Sequence, residues 1–597
     1  MLKIKNKRLL KAVFSVFMVV VICLATMGSV PIKVYSAYID PALEKVLSRA
    51  ADTDLIPVDI WLYDIDTEEV DEKVFAKTGL SRETISDEKR SAELTHAEVD
   101  AYIEAERTLY AEAQTKQSQA FLDKHSGIFT SKATADSEIF YVSKYAPSIQ
   151  MELTPAQIAK LAKDLSVEAV YYSPPMALLT EAAYSVPTIR ANYTRDTLGY
   201  TGSGIKIGMI DGGMPDKNSG YYNSSKIIFD PSVSQAVLTH SDLVASIMVS
   251  TDYGIVPDAT LYCTSFNGYF DNLKIKIEWL LSQGVNVINI SARILDDEGV
   301  FYSNVERWID HIAINHSVHF VKSAGNNAGN YGDRTGNISR PGMSFNVITV
   351  GSIDDKNNTN YADDVISSFS SYVEGSTLNT PMKPDLVAPG TCILTSANIA
   401  AHTAEHENCD GTSFSAPHVT AIVAQLCQAK PALKTQQDAM KAILTASINH
   451  SVHHYEPSDA NYDKYGAGVA DARSALYTAS NSRYASSNFS ATAENETSHY
   501  YTITTTSSDT RVRISLAWLK YAYISGSDHA NSQPPSTTLS DLDLYIYRGD
   551  ELVYSSYNEK GNVEIVEINN PYPGTYRIEV FLYNNGGSKT YYTLAWW

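Results

Sequence analysis

A serine at the start of an apolar helix constrains this chain more than any other feature. Residues 408–426 read Asn-Cys-Asp-Gly-Thr-Ser-Phe-Ser-Ala-Pro-His-Val-Thr-Ala-Ile-Val-Ala-Gln-Leu, with Ser413 directly after Gly-Thr. Gly411 permits a tight turn, and Pro417, which has no amide hydrogen, is predicted in the first turn of the helix. Backbone N–H groups and the positive end of the helix dipole then lie near Ser413. This position suits an oxygen that becomes negative during acyl transfer.

A nucleophilic serine needs a base and an acid that orients the base, and the upstream sequence offers both. Residues 205–210 form a short apolar run typical of a buried parallel strand, and Asp211 stands at its carboxyl end. His240 begins a segment whose apolar residues share one helical face. Because ligands bind at the carboxyl ends of strands in open α/β sheets, we predict that both side chains serve Ser413 there.

A further strand, residues 318–323, runs into the turn Ala324-Gly325-Asn326. The turn exposes the side-chain amide of Asn326, which is a neutral hydrogen-bond donor. Such a donor suits the oxyanion of an acyl-transfer reaction.

Asp211, His240, Asn326 and Ser413, in that order, resemble the subtilisin-like serine proteases, the subtilases. Residues 411–419, Gly-Thr-Ser-Phe-Ser-Ala-Pro-His-Val, are close to the serine signature of that family, and Ala324-Gly325-Asn326 matches its oxyanion segment. The resemblance covers residues 185–480, and its supporting matches are residues 284–291, 346–351, 383–390 and 465–472.

Two segments depart from the family pattern. Asp211-Gly-Gly stands where the family has Asp-Ser-Gly or Asp-Thr-Gly, so one hydroxyl next to the acid is lost. His240-Ser-Asp-Leu-Val-Ala-Ser stands where the family has His-Gly-Thr-His-Val-Ala-Gly, which adds a carboxylate at Asp242. Since Asp242 lies two residues from His240 on a helix, it is predicted on a different face.

The resemblance implies a serine endopeptidase that hydrolyses peptide bonds through an acyl-enzyme on Ser413. It also implies that the substrate backbone binds along Ser291, Ala292 and Arg293 and against Ala324 and Gly325. Whether Arg293 narrows and charges that cleft or turns to solvent is left open. The chemistry requires no cofactor and no metal; the family allows structural calcium, but the sequence supplies no ligand set for it.

Each site residue also has an ordinary structural interpretation. Ser413 would be a helix cap, Asp211 and Asn326 turn residues, and His240 a histidine without chemistry at a helix start. At the level of the whole chain, one alternative is a catalytically impaired pseudoprotease that binds peptides or protein partners. A serine esterase is disfavoured because the chain lacks a Gly-x-Ser-x-Gly elbow and the Ser, Asp, His order of α/β-hydrolases.

The N-terminal residues predict export. Basic residues precede the apolar stretch 12–27, and a small-residue exit follows at residues 34–37, so residues 1–36 are interpreted as a secretory signal peptide rather than an uncleaved anchor. No later segment is apolar enough to span a bilayer, which predicts a secreted, extracellular protein. The net charge of -21 argues against nucleic acid or an anionic membrane as a partner and leaves protein or peptide substrates.

Residues 38–180 are predicted to form a separate α+β unit. Residues 56–62, 140–146 and 168–173 read as strands, residues 154–157 form a capping box, and residues 94–124 predict one long helix. The unit is similar to subtilase propeptides, which act as folding chaperones and intramolecular inhibitors of their own protease. The resemblance places the processing cut near residues 177–184, so that residue 185 begins the mature enzyme.

The remaining segments complete the fold class: an α/β subtilisin-like parallel sheet flanked by helices at residues 185–480, preceded by the α+β propeptide and followed by a β-sandwich. Residues 485–597 alternate inward and outward side chains between turns and resemble the jelly-roll domains of bacterial subtilases. Cys263, Cys392, Cys409 and Cys427 lack redox or zinc spacing, and buried thiols are favoured over disulfides.

Overall fold

The computed structural model describes most of the chain from Ala37 onward. The described residues are 37–86, 94–129, 139–173, 185–294, 302–327, 338–356, 360–373, 381–391, 410–449, 464–490, 497–520, 539–557, 561–584 and 589–597. The predicted signal peptide and the predicted processing bond lie outside these residues.

An eight-stranded sheet forms the centre of the catalytic unit. Its strands are β6 (Lys206–Asp211), β7 (Ile227–Phe229), β8 (Thr260–Ser265), β9 (Val287–Ile290), β10 (His319–Ser323), β11 (Ile348–Asp354), β12 (Val365–Ile366) and β13 (Leu386–Pro389). The order is β12-β11-β10-β9-β6-β8-β7, and β13 also pairs with β11. Apart from the β11–β12 pair, the strands are parallel. The apolar runs of the sequence form these strands because both faces of the sheet are covered.

Helices pack on both faces of this sheet and confirm the predicted α/β class. They are α7 (Ala191–Asp196), α8 (Thr239–Val249), α9 (Phe270–Ser282), α10 (Asn304–Asn315), α11 (Thr412–Ala429), α12 (Gln437–Ala446) and α13 (Ala472–Ser480), with 3₁₀ turns at Ser224–Lys226 and Pro431–Thr435. One core joins the sheet to α8 and α11, and a second joins it to α9 and α10.

The N-terminal unit is a five-stranded sheet with helices. Its strands are β1 (Tyr38–Ile39), β2 (Ile56–Leu62), β3 (Ile139–Val142), β4 (Ser148–Leu153) and β5 (Val167–Tyr172), in the order β1-β5-β2-β4-β3. Its helices are α1 (Pro41–Leu47), α2 (Thr67–Thr78), α3 (Arg82–Ser86), α4 (His96–Lys124), α5 (Ser126–Phe129) and α6 (Pro155–Leu161). The long helix forms as predicted, and capping boxes at Thr95 and Thr154 begin α4 and α6.

The N-terminal unit packs on the catalytic unit through a shared apolar core and a buried ion pair. Trp61, Ala169 and Tyr171 share a core with α9 and α10. A fully buried ion pair joins Asp59 to Lys274. These side chains are buried, so the two units are closely packed across α9 and α10.

Arg107 on α4 donates four hydrogen bonds to the catalytic unit. Its Nε donates to His316 O at 2.7 Å and its Nη2 to Val285 O at 2.7 Å, with longer bonds to Ser317 O at 3.3 Å and Leu281 O at 3.5 Å. Leu281 lies in the last turn of α9, and the other three carbonyls belong to residues that follow α9 and α10, near the partial negative charge of the two helix ends. A cation from the N-terminal unit therefore caps two helices of the catalytic unit.

The C-terminal unit is a sandwich of two four-stranded antiparallel sheets, as predicted. Its strands are β14 (Tyr484–Phe489), β15 (Ser498–Thr505), β16 (Arg511–Trp518), β17 (Asp541–Arg548), β18 (Glu551–Ser556), β19 (Val563–Asn569), β20 (Gly574–Asn584) and β21 (Thr590–Trp596). The sheet orders are β14-β21-β16-β19 and β15-β20-β17-β18. Buried Arg513 donates to Thr445 O at 3.0 Å and to Ala467 O at 2.8 Å, which attaches β16 to the catalytic unit.

Two of the four cysteines of the catalytic unit lie within the described residues. Cys263 and Cys427 are buried free thiols, in agreement with the favoured interpretation. Burial raises the pKa of Cys427 to about 12, so this thiol is unreactive. Cys392 and Cys409 lie outside the described residues.

Candidate active site

The fold brings the predicted catalytic residues to one edge of the central sheet. Asp211 is the last residue of β6, and His240 lies in the first turn of α8. Ser413 lies in the first turn of α11, and Asn326 follows β10. Because β6, β9 and β10 are parallel neighbours, their carboxyl ends meet at the edge where α8 and α11 begin.

Asp211 and His240 form a buried pair. His240 Nδ1 lies 2.7 Å from Asp211 Oδ1, and the two side chains are almost completely shielded from solvent. The ring of His240 also packs against the ring of Phe414, with 5.3 Å between the ring centres. Since a carboxylate oxygen only accepts, Nδ1 carries the proton when the imidazole is neutral. That tautomer leaves Nε2 as the basic nitrogen.

The hydroxyl that the family places directly after the acid is supplied here by Ser241. Ser241 Oγ donates to Asp211 Oδ1 at 2.8 Å and accepts from Gly213 N at 3.2 Å. Gly212 N donates to the same Asp211 oxygen at 2.6 Å. Ser241 was missed by sequence reasoning, although the sequence carries its signal: the chain gains a serine after His240 and loses a hydroxyl residue after Asp211.

Ser413 makes a reciprocal contact with the end of β9. Its Oγ donates to Ser291 O at 3.2 Å, and Ser291 Oγ donates to Ser413 O at 2.6 Å. The buried Nε2 of His240 has no hydrogen-bond partner among the described residues. The Ser413 hydroxyl is therefore engaged by a backbone acceptor and forms no hydrogen bond with the imidazole in this structure.

Pro417 lies farther inside the helix than predicted. The helix α11 begins at Thr412, so Pro417 is beyond its first turn. In a regular helix the N–H of residue 417 would donate to Ser413 O, but proline has none. Ser291 Oγ occupies that carbonyl instead, which explains why the proline is tolerated there and ties the serine helix to β9.

Asn326 is held in a fixed orientation by the residue before Ser413. Its Oδ1 accepts from Thr412 N at 3.0 Å and from Thr412 Oγ1 at 2.8 Å. Thr412 Oγ1 in turn accepts from Gly325 N at 2.9 Å. With Oδ1 occupied, the N–H groups of Asn326 remain as donors for a ligand oxygen. Thr412 is a second positioning residue that sequence reasoning missed, although it lies within the serine signature.

The predicted substrate-binding residues form two neighbouring backbone edges. Ser291, Ala292 and Arg293 continue β9, and Ala324 and Gly325 continue β10. Gly325 has a φ of 115°, and an added Cβ would lie 3.2 Å from the Cβ of Ser339, so a larger residue does not fit there. The edges lie on either side of Ser413, since Ser291 bonds to it and Gly325 bonds to Thr412.

Asp242 points away from His240, as predicted from its helical position. It accepts from Tyr222 Oη at 2.7 Å and from Asp216 N at 3.0 Å. Burial raises the pKa of Asp242, and the Tyr222 hydrogen bond opposes that rise. This carboxyl group therefore fixes the loop after β6 rather than orienting the imidazole.

Comparisons with known proteins place most of the chain in two families of protein domains. The profile described as the subtilase family matches residues 202–507, and the profile described as the bacterial pre-peptidase C-terminal domain matches residues 497–582. The M-protease of Shouchella clausii is 25% identical over 365 residues, which cover 58% of this chain and 84% of that protein. The serine protease AprX of Bacillus subtilis is 25% identical over 366 residues, which cover 54% of this chain and 78% of that protein.

Among solved structures, a prenylagaramide maturation protease aligns with a TM-score of 0.37 and 23% identity, covering 47% of this chain and 97% of that one.

Within the part of the chain that the structure describes, no helix combines the length and apolarity needed to cross a membrane.

Proposed function

Because this chain belongs to the subtilase family of serine proteases, we propose that Asp211, His240 and Ser413 form its catalytic triad and that Asn326 supplies its oxyanion hole. The chain is a subtilisin-like serine endopeptidase, and its substrates are peptides or proteins. One observation carries the assignment of residues. The buried His240 Nδ1–Asp211 Oδ1 contact of 2.7 Å sets the tautomer whose Nε2 has no partner among the described residues.

The proposed reaction is a two-step acyl transfer. Ser413 Oγ exchanges its Ser291 acceptor for His240 Nε2, gives up its proton to that nitrogen and attacks the substrate carbonyl carbon. Asp211 stabilises the imidazolium, which then donates the proton to the leaving amine. Water, deprotonated by His240, hydrolyses the ester and returns the proton to Ser413. The proposed chemistry uses no metal or cofactor.

Asn326 and the backbone N–H of Ser413 are the proposed donors to the tetrahedral oxyanion. Thr412 supports this role because it holds Asn326 Oδ1 with two hydrogen bonds and so presents Nδ2 in a preorganised position. Preorganised donors stabilise developing charge without reorganisation during the reaction.

We also propose that the protein is a secreted, self-processing zymogen in which residues 38–180 are an inhibitory propeptide. The support is the close packing of the N-terminal unit on α9 and α10. The start of the proposed mature chain is well anchored: Ser185 is buried, and its Oγ lies 2.6 Å from His418 Nε2 on the serine helix. Such anchoring keeps the catalytic unit intact when the chain is cut upstream.

A single comparison tests these proposals. The wild-type chain and Ser413→Ala are expressed from the same vector, and the products are analysed by intact-mass spectrometry and by labelling with a fluorophosphonate probe. We expect only the wild type to lose its N-terminal unit and to be labelled at Ser413. Identical processing of both chains would show that another protease makes the cut, and an unlabelled, correctly folded wild type would favour the pseudoprotease.

A further inference from the structure

Lys322 is a buried lysine at the substrate-binding edge. It lies near the carboxyl end of β10, and its side chain has no contact with solvent. Its Nζ donates to Ser323 O at 2.5 Å, Ser323 Oγ at 2.7 Å and Ser339 Oγ at 2.9 Å. These acceptors are neutral, and among the described residues Lys322 forms no ion pair.

Five other buried lysines among the described residues are paired with carboxylates, as burial of a charge normally requires. These pairs are Lys274–Asp59, Lys276–Asp230, Lys383–Asp385, Lys434–Asp100 and Lys441–Asp385. Lys322 departs from this pattern at the one edge of the sheet where the proposed active site lies.

Arg293 brings a second basic side chain to the same edge. Its Nε is buried and has no hydrogen-bond partner among the described residues, although the residue as a whole is partly exposed. Burial lowers the pKa of Lys322, and the nearby charge of Arg293 lowers it further. A substrate carboxylate held by both side chains would oppose both effects and favour the protonated form of Lys322.

The two cations belong to the two backbone edges that flank Ser413. Lys322 pairs in register with Ile290, the residue before Ser291, and Arg293 is two residues beyond Ser291. Ser339, which holds Lys322 Nζ, donates its N–H to Ala324 O at 2.7 Å. A peptide lying along residues 291–293 would direct the side chain on the acyl side of the scissile bond between these edges.

We propose that Arg293 and Lys322 receive a carboxylate, so that this protease cuts preferentially after Asp or Glu. This inference rests on the proposed endopeptidase function. Arg293, which is partly exposed, contacts the substrate carboxylate directly. Lys322 acts on the same carboxylate through the hydroxyl groups of Ser323 and Ser339, to which its Nζ donates.

The test uses matched fluorogenic peptides that differ only in the residue before the scissile bond, Glu against Gln and Asp against Asn. For the wild type we expect kcat/KM to be roughly 10- to 100-fold higher for the acidic member of each pair, the range of a hydrogen bond to a charged group. Equal values would overturn the inference while leaving the endopeptidase intact. Cleavage of none of the peptides, with Ser413→Ala behaving identically, would overturn the endopeptidase itself.

Two variants assign the preference to these residues. In Arg293→Gln and Lys322→Met the Glu-to-Gln ratio should fall to within about 3-fold, because each removes one of the two charges. The ratio is measured within one preparation, so it does not depend on the amount of folded enzyme. Lys206→Met is the matched control, since Lys206 begins β6 at the opposite end of the strands. A preference that survives in both variants would contradict the assignment.

The chain also offers its own substrate for this test. Glu181 is the only acidic residue between Ser173 and Ser185, within the stretch where processing is predicted. Self-processing should therefore produce a mature N-terminus at Ala182, slightly upstream of the Ser185 start that the family resemblance implies, and Glu181→Gln should slow its formation by at least about 10-fold. A mature chain that follows a neutral residue in the wild type would contradict the inference.

Discussion

Ser241 donates a 2.8 Å hydrogen bond to Oδ1 of Asp211, the same oxygen that lies 2.7 Å from His240 Nδ1. The serine is the residue after the proposed base, whereas relatives place a hydroxyl after the acid. The Asp211 carboxylate thus receives this hydrogen bond from the residue after the base instead of the residue after the acid. Moving the donor keeps the acid oriented although both flanking segments depart from the family pattern.

Replacing Ser241 with alanine should lower kcat about 10-fold with little change in KM, because a hydrogen bond to a charged group contributes about 1.5 kcal/mol. The double variant Ser241→Ala with Gly212→Ser should recover part of the loss by restoring the family's donor. Gly212 is not among the glycines with positive φ, so a serine fits its backbone. Steady-state kinetics check both variants, and Gly212→Ser alone is the control. A single variant with unchanged kcat would show that the hydrogen bond does not position Asp211.

Asn326 is expected to act on the transition state rather than on substrate binding. Asn326→Asp keeps the size of the side chain and an acceptor for Thr412, but it replaces the donor with a charged oxygen. We expect kcat to fall by at least about 10²-fold in Asn326→Ala, and further in Asn326→Asp, with KM nearly constant. Thr412→Val tests the support of Asn326, since it removes the 2.8 Å bond and keeps the backbone one. A loss confined to KM in these variants would contradict an oxyanion role.

The sequence predicted those parts of the fold that depend on local pattern. The apolar run before Asp211, the long α4 and the alternation in β16 each formed within a few residues of the expected bounds. The order of Asp211, His240 and Ser413 along the chain also predicted their meeting at one sheet edge. In these cases the periodicity of the side chains and the parallel sheet leave few other arrangements.

What the sequence did not reveal depends on contacts between distant residues. Local helix rules predict Pro417 in the first turn. In the structure it lies deeper in the helix, where Ser291 Oγ donates to the Ser413 carbonyl that a residue with an N–H would otherwise satisfy. The direction of Arg293 was undetermined for the same reason. The position of Pro417 depends on Ser291, which is more than 100 positions away, and the direction of Arg293 depends on how two strands pack. The neighbouring sequence carries no signal for either.

Buried His418 predicts that the catalytic unit loses stability in acid. Burial lowers the pKa of His418 to about 4, and the hydrogen bond to Phe414 O only partly opposes this. The folded chain keeps this imidazole neutral while the unfolded chain binds a proton below about pH 6.5. Because the unfolded state then binds more protons, stability contributed by this group falls as pH drops from about 6.5 to about 4, by up to about 3 kcal/mol.

The measurement is urea unfolding of the inactive Ser413→Ala chain at several pH values, with and without His418→Gln. The glutamine variant is expected to be less stable at pH 7 but to show a smaller loss of stability between pH 6.5 and 4.5. His319, whose pKa is also lowered to about 4 by burial, contributes equally to both chains and serves as the internal reference. Parallel pH profiles for the two chains would mean that His418 is not protonated on unfolding.

Arg107 should stabilise the packing of the N-terminal unit on the catalytic unit. In the unprocessed Ser413→Ala chain, Arg107→Ala leaves the carbonyls of Val285 and His316 without their 2.7 Å donors, and unsatisfied buried groups cost about 1–3 kcal/mol each. We expect hydrogen exchange of α9 and α10 to accelerate at their C-terminal ends and the melting temperature to fall by several degrees. Lys116→Ala, on the exposed face of the same helix, is the matched control and should change neither quantity. Equal exchange rates in both variants would show that the capping of the two helices does not depend on Arg107.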